Sequence, residues 1–272
     1  MKYNNELRVI DTQEKAYLLG FLYGDGTIST YLTSGNRRYQ TKISIQVGDI
    51  DIIETLYKIF SFFTKGHFDY SKYNPNTGEQ VSISKSSKEL YNDLMLNGLY
   101  PRKSYENKDK LHIPNIDDEL IPHFIRGFFD ADGSVYVQYN RKNLIRIEFC
   151  SVSKTLIYEL DSYLKTKNIE SWCVREKKPK AKSKQMLYVL SYIKTSEVMK
   201  LIDYMYKDST ISLKRKRIKC LEHKVVDKVK DRGVLCRVCK RPATRNGVRG
   251  NSIRYECKTC GYGFSIKNDI KL

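Results

Sequence analysis

Hydrophobic positions along this chain change their period in a fixed order, and that order occurs twice. Tyr17 to Asp25 and Phe124 to Asp132 are apolar on nearly every face, the pattern of helices buried all round. Each gives way to alternating polar and apolar residues. Thr27–Leu32 and Tyr39–Val47 flank the turn-forming Thr33-Ser-Gly-Asn36, and Ser134–Tyr139 and Leu144–Phe149 flank Asn140-Arg-Lys-Asn143, so a β-hairpin is predicted in both places. Amphipathic helices are expected next, at Ile52–Phe63 behind an Asp51/Glu54 capping box and at Lys154–Lys165 behind Ser153. Second hairpins follow, with strands near Gly66–Tyr70 and Gln80–Ser84, then near Ser171–Arg175 and Met186–Tyr192. Closing helices are expected at Lys88–Leu96, ending at Gly98, and at Ser196–Tyr206.

The pattern predicts an α+β chain of two pseudo-symmetric αββαββα units, at 1–106 and 119–222, joined by a linker at 107–118. A basic linker at 223–234 leads to a small cysteine-rich module at 235–272. The duplication is legible in the letters: Tyr17-Leu-Leu-Gly-Phe-Leu-Tyr-Gly-Asp-Gly-Thr27 returns 107 residues later as Phe124-Ile-Arg-Gly-Phe-Phe-Asp-Ala-Asp-Gly-Ser134. Gly20 and Gly24, like Gly127 and Ala131, stand four apart, so each helix carries a stripe of small residues that permits close backbone approach. Each helix ends in an aspartate, Asp25 or Asp132, at the negative end of its dipole. A carboxylate is disfavoured there by a few tenths to about 1 kcal/mol. Two such carboxylates brought together call for divalent cations between them.

Composition adds a partner. A net charge of +18 makes the free chain repel itself, and a polyanion, nucleic acid first of all, relieves that repulsion. No basic amphipathic helix, lipidation signal or membrane span is visible, so a membrane role is not expected and the default location is cytoplasmic. Of the seven cysteines, Cys236 with Cys239 and Cys257 with Cys260 form two close pairs, the spacing of a four-cysteine zinc ribbon holding one structural Zn2+. Cys150, Cys173 and Cys220 are isolated and read as small buried hydrophobes. Residues 213–249 hold fourteen Lys/Arg against three acids, 14 − 3 = +11 of the whole charge, so a basic module extending a nucleic-acid footprint is expected there.

The repeated motifs resemble the LAGLIDADG motif of homing endonucleases in its single-chain, two-motif form. The match is closest at Ile125-Arg-Gly-Phe-Phe-Asp-Ala-Asp-Gly133; in Leu18-Leu-Gly-Phe-Leu-Tyr-Gly-Asp-Gly26, Tyr23 stands where the second copy has Asp130. The resemblance covers about residues 10 to 220, including the basic turns Arg102-Lys-Ser104 and Leu213-Lys-Arg-Lys216. It implies a saddle of two antiparallel sheets over double-stranded DNA and a monomeric enzyme. It also implies hydrolysis of both strands across the minor groove, with Mg2+ or Mn2+ held by Asp25 and Asp132 beside Gly24 and Ala131. It further implies auxiliary residues that organise the active-site water: Gln46 and Lys85 in the first half, Glu148 and Lys194 in the second.

Strand alternation offers Thr41, Ser44 and Gln46, and Arg146 with Glu148, for contact with base edges or phosphates. The hairpin tips offer Arg37 and Arg38, Arg141 and Lys142, and Lys177, Lys178, Lys180, Lys182 and Lys184. Two other functions fit the same motifs. A maturase would bind intron RNA with this scaffold, and a catalytically inactive DNA-binding regulator would need neither aspartate.

Overall fold

The computed structural model describes residues 2–64, 79–138, 144–178, 185–221, 234–249 and 252–267. Two helices form its centre: α1 (Gln13–Asp25) and α4 (Ile121–Asp132). Thr12 caps α1 by accepting from the Lys15 amide, and Pro122 in the first turn of α4 suits a position that needs no donor. Residues 16–23 of α1 are buried without a break, since one side meets α4 and the other sides meet the sheet and flanking helices.

After α1 come β1 (Gly26–Thr33) and β2 (Asn36–Gln46), antiparallel from Gly26↔Ile43 to Thr33↔Asn36. Their two-residue loop, Ser34 and Gly35, has positive φ at both positions, the hairpin turn whose twist matches that of the strands. Helix α2 (Ile50–Ile59) follows, then β3 (Gln80–Lys85) against β2, and α3 (Lys88–Leu96), capped by the Ser87 hydroxyl. Gly98 has φ +81°, which ends α3 where the Tyr23 hydroxyl leaves no room for a Cβ. The strand expected near Gly66–Tyr70 lies outside the described residues.

The second half has the whole expected order: β4 (Ser134–Gln138), β5 (Leu144–Ser151), α5 (Lys154–Thr166), β6 (Cys173–Lys177), β7 (Leu187–Tyr192) and α6 (Thr195–Tyr206). The strands form one antiparallel sheet, β4-β5-β7-β6. Ser153 caps α5 through the Leu156 amide, as the sequence predicts. The Asp51/Glu54 capping box does not form: α2 starts earlier, and its N-cap, Asp49, makes no capping bond because both carboxylate oxygens accept from Arg215, at 2.5 and 2.8 Å. A further helix opens at 214. The core runs through both halves, with Tyr17, Phe21, Phe128, Phe129 and Phe149 all buried in one cluster. No helix among the described residues is long and apolar enough to cross a membrane.

The tail forms a separate three-stranded sheet, β8 (Thr244–Arg249), β9 (Ser252–Glu256) and β10 (Gly263–Lys267), around a small core of Ile253, Tyr255 and Phe264.

Candidate active site

The stripe of small residues is what lets α1 and α4 touch backbone to backbone. A Cβ on Gly20 would overlap the Phe124 carbonyl and stand 2.9 Å from the Phe128 amide nitrogen. One on Gly127 would overlap the Tyr17 carbonyl and stand 2.9 Å from the Phe21 nitrogen. At Gly24 an added Cβ would overlap the Cβ of Ala131. The helix C-termini are thereby brought together, and the Asp132 carboxyl carbon lies 3.2 Å from where a Gly24 Cβ would be.

Asp25 is half-buried at this junction. Burial first, then repulsion from Asp132, together raise its carboxyl to about 6 against the pull of Lys216 and Lys103. Asp132 keeps a solvent-open side, yet protein packs densely round its carboxyl, and burial raises it despite Lys103 and Lys216. The two aspartates therefore share one electrostatic environment, as their sequence positions imply.

Two lysines complete it. Lys103 donates to the Gly24 carbonyl at the end of α1. Lys216 donates to the carbonyls of Phe129 (2.7 Å), Asp130 (2.7 Å) and Gly133 (2.6 Å) at the end of α4, with Ala131 at 3.4 Å. Each ammonium thus sits on the negative end of a helix dipole beside the carboxylate pair. Burial lowers both, Lys216 to about 8, although the aspartates pull them upward. The carbonyls of Gly24 and Ala131, expected beside metal, face these ammonium groups. Both lysines belong to the basic turns Arg102-Lys-Ser104 and Leu213-Lys-Arg-Lys216, whereas Lys85 and Lys194, the lysines that the resemblance implies as auxiliary residues, lie elsewhere. The usable signal was the repetition itself, displaced to 216 − 103 = 113 residues from the motif offset of 107.

Lys85 is paired with Thr41 at the end of β3, on the side of the sheet that carries Ile83. Lys194 is exposed before α6, 4.0 Å from Glu197. Glu148 is buried and accepts from Arg175 (2.7 Å), the Ser191 hydroxyl (3.0 Å) and Arg146. Register changes its counterpart: Ser134 pairs with Glu148 where the matching Thr27 pairs with Lys42, so Lys42 rather than Gln46 occupies the equivalent place.

The outward faces follow from the same registers. Ser44 and the exposed Gln46 share one with Arg38, Gln40 and Lys42; the other sheet presents Tyr136, Arg146, Arg175 and Lys177 round a cavity of about 520 Å³. Thr41 is a correction: it alternates with Ile43 and Ile45, is fully buried, and faces the core. Arg37 is exposed on the opposite side of β2 from Arg38, alongside Tyr39, whose ring packs on Tyr91 at 5.2 Å. Lys177 and Lys178 are exposed; Arg141, Lys142, Lys180, Lys182 and Lys184 lie outside the described residues.

The four cysteine sulfurs lie within 4.8 Å of one another, with Cys236–Cys260 at 3.6 Å and Cys239–Cys257 at 3.4 Å. Tetrahedral Zn–S bonds of about 2.3 Å need sulfurs about 3.8 Å apart, so the set fits zinc and is too wide for disulfides. Both cysteine turns have the same backbone. Lys240 and Gly261 donate to the Cys236 and Cys257 carbonyls at 3.0 and 2.8 Å, and each has positive φ, 61° and 70°.

Comparison with known proteins agrees with this architecture. A family model described as LAGLIDADG-like domain matches residues 119–205. The meganuclease I-AabMI, solved bound to uncleaved DNA, superposes with a TM-score of 0.54 at 16% identity, over 80% of this chain and 91% of that one. The homing endonuclease I-GzeII, solved with its DNA target, gives 0.52 at 12% identity, over 82% and 92%. An uncharacterized protein of Methanocaldococcus jannaschii is 25% identical over 187 residues, 67% of this chain; the match spans 65% of that relative's length. The chain thus carries a LAGLIDADG-like domain in its second half and, across both halves, has the fold of the LAGLIDADG homing endonucleases.

Proposed function

We propose that this chain is a divalent-metal-dependent endonuclease that hydrolyses both strands of a long, asymmetric DNA duplex, acting as a monomer. The observation that carries the reading is the convergence of Asp25 and Asp132 at two helix ends, both carboxyls raised by burial and Asp25 also by its neighbour. A protein gains nothing in stability from that arrangement, so a cation-binding role accounts for it better than a structural one. Mg2+ or Mn2+ held by the two aspartates supplies the Lewis acidity that phosphodiester hydrolysis uses. The protein's own contribution is positional. Glycine contacts fix the spacing of the carboxylates, Lys103 and Lys216 hold the helix ends, and the ammonium charges favour an approaching phosphate.

The polar faces of the two sheets support duplex DNA as the substrate, and their inequality, Lys42 against Glu148, supports an asymmetric target. Gln46 is proposed to serve as an auxiliary polar group, whereas Glu148, held between Arg146 and Arg175, orients those arginines for contact with DNA. Zn2+ is proposed for the four cysteines, in a structural role.

Incubation of the protein and Mg2+ with a plasmid library, followed by sequencing of the ends, tests the reading. Recurrent double-strand ends at one sequence, lost with Asp25→Asn or Asp132→Asn, are expected. Absence of specific ends, or cutting that survives both substitutions, overturns it. Preferential binding of structured intron RNA without cleavage would favour the maturase reading instead.

A further inference from the structure

The tail carries a second candidate surface, separate from the carboxylate pair. The three strands of its sheet are in register at Arg249↔Ser252↔Lys267 and Arg254↔Ser265, with Thr244↔Glu256↔Gly263 at the far end. Alternation sends Ile253, Tyr255 and Phe264 to the small core and leaves Arg249, Arg254 and Lys267, with Thr244, Ser252, Ser265 and, at the far end, Glu256, on the open face. The three cations are exposed, with the hydroxyls of Ser252 and Ser265 between them and the acid Glu256 at the far end of the face.

Charge on this module is strongly positive. Its described residues hold eight Lys/Arg and one acid, Glu256, which already accepts from Lys258 at 3.1 Å and Asn246 at 3.0 Å. Arg249, Arg254 and Lys267 therefore have no acidic partner among the described residues of the module. Four thiolates with one Zn2+ contribute −2, so the folded module still carries about 8 − 1 − 2 = +5.

We infer that this face is a second, sequence-independent binding surface that grips the phosphate backbone of duplex DNA. Guanidinium, ammonium and hydroxyl groups are the donors that phosphate oxygens accept from. The twelve residues 222–233 give a covalent reach of at most about 43 Å, or about 12 base pairs at 3.4 Å each. The module can therefore engage DNA flanking the segment held by the two sheets. A surface of this kind tightens binding without narrowing the sequence recognised.

The test is binding of full-length, zinc-loaded protein to a random-sequence duplex of about 40 base pairs over a range of salt, in buffer without Mg2+. Cleavage plays no part in this readout, so it stands or falls separately from the endonuclease reading. Simultaneous Arg249→Gln, Arg254→Gln and Lys267→Gln, with zinc content verified, is expected to lower the log–log salt slope by about 2.7, at about 0.9 per lost contact. Ser265→Lys, which adds a cation to the same face, is expected to raise it by about 0.9 and decides the matter where the triple variant loses zinc. Unchanged slopes overturn the inference. So does a loss confined to structured RNA with duplex binding intact.

Discussion

Tyr17, on the first motif helix, donates its hydroxyl at 2.9 Å to Asp130 on the second. A side chain from one half thus completes the surroundings of a fully buried carboxyl in the other, which also accepts from the Leu213 amide (2.7 Å) and the Tyr206 hydroxyl (3.1 Å). Burial raises Asp130 to about 6, while those donors and Lys216 hold it down. Tyr17→Phe removes one donor without changing the packing shape. It should cost about 1–3 kcal/mol in urea unfolding, the range for an undersatisfied buried group. A loss below about 0.5 kcal/mol would show that the contact is energetically idle.

Gly20→Ala and Gly127→Ala drive a methyl into the opposing backbone, which has no rotamer to escape through. Each should destabilise the chain by about 3 kcal/mol, at the upper end for overpacking. Gly48→Ala, whose Cβ meets nothing within 4 Å, should stay within about 0.5 kcal/mol. Similar unfolding midpoints for Gly20→Ala and Gly48→Ala would contradict the close approach of the helices.

Stability should depend on pH through Asp25. Folded Asp25 keeps its proton to about pH 6, whereas the unfolded chain releases it near 3.8. Between those values the folded state binds more protons, so this group's contribution falls as pH rises through the window and is level above it. Asp25→Asn removes that penalty. The variant should come close to wild type near pH 4 and exceed it by about 3 kcal/mol at pH 7, at about 1.4 kcal/mol per pKa unit, while losing cleavage. Added Mg2+ should stabilise wild type at pH 7 and leave Asp25→Asn nearly unchanged; an equal gain in both would move the cation elsewhere.

Chelation of zinc should unfold the tail and spare the body. The single tryptophan, Trp172, lies just before β6 in the body, so its emission reports on that part alone. A zinc chelator should leave Trp172 emission unchanged while the amides of β8, β9 and β10 lose protection from hydrogen exchange. Protected amides in the metal-free protein would show that the small core of Ile253, Tyr255 and Phe264 suffices by itself.

Periodicity, turn residues and the duplicated motif determined the helices, the hairpins among the described residues, the zinc-type cysteine spacing and the pairing of Asp25 with Asp132. These depend on neighbours within a few residues, or on a repeat that can be read by comparing the chain with itself. Strand parity was also available in principle, and counting by two from Ile43 would have put Thr41 in the core. Tertiary structure alone decided what surrounds each charge. Asp49 leaves its cap for Arg215, Lys216 rather than Lys194 reaches the end of α4, and Lys42 rather than Gln46 occupies in the first half the place that Glu148 has in the second. Partner choice for a long charged side chain depends on elements that meet only after the chain folds. Local propensity carries no information about which carbonyl or carboxylate will be within reach, and burial then amplifies the result.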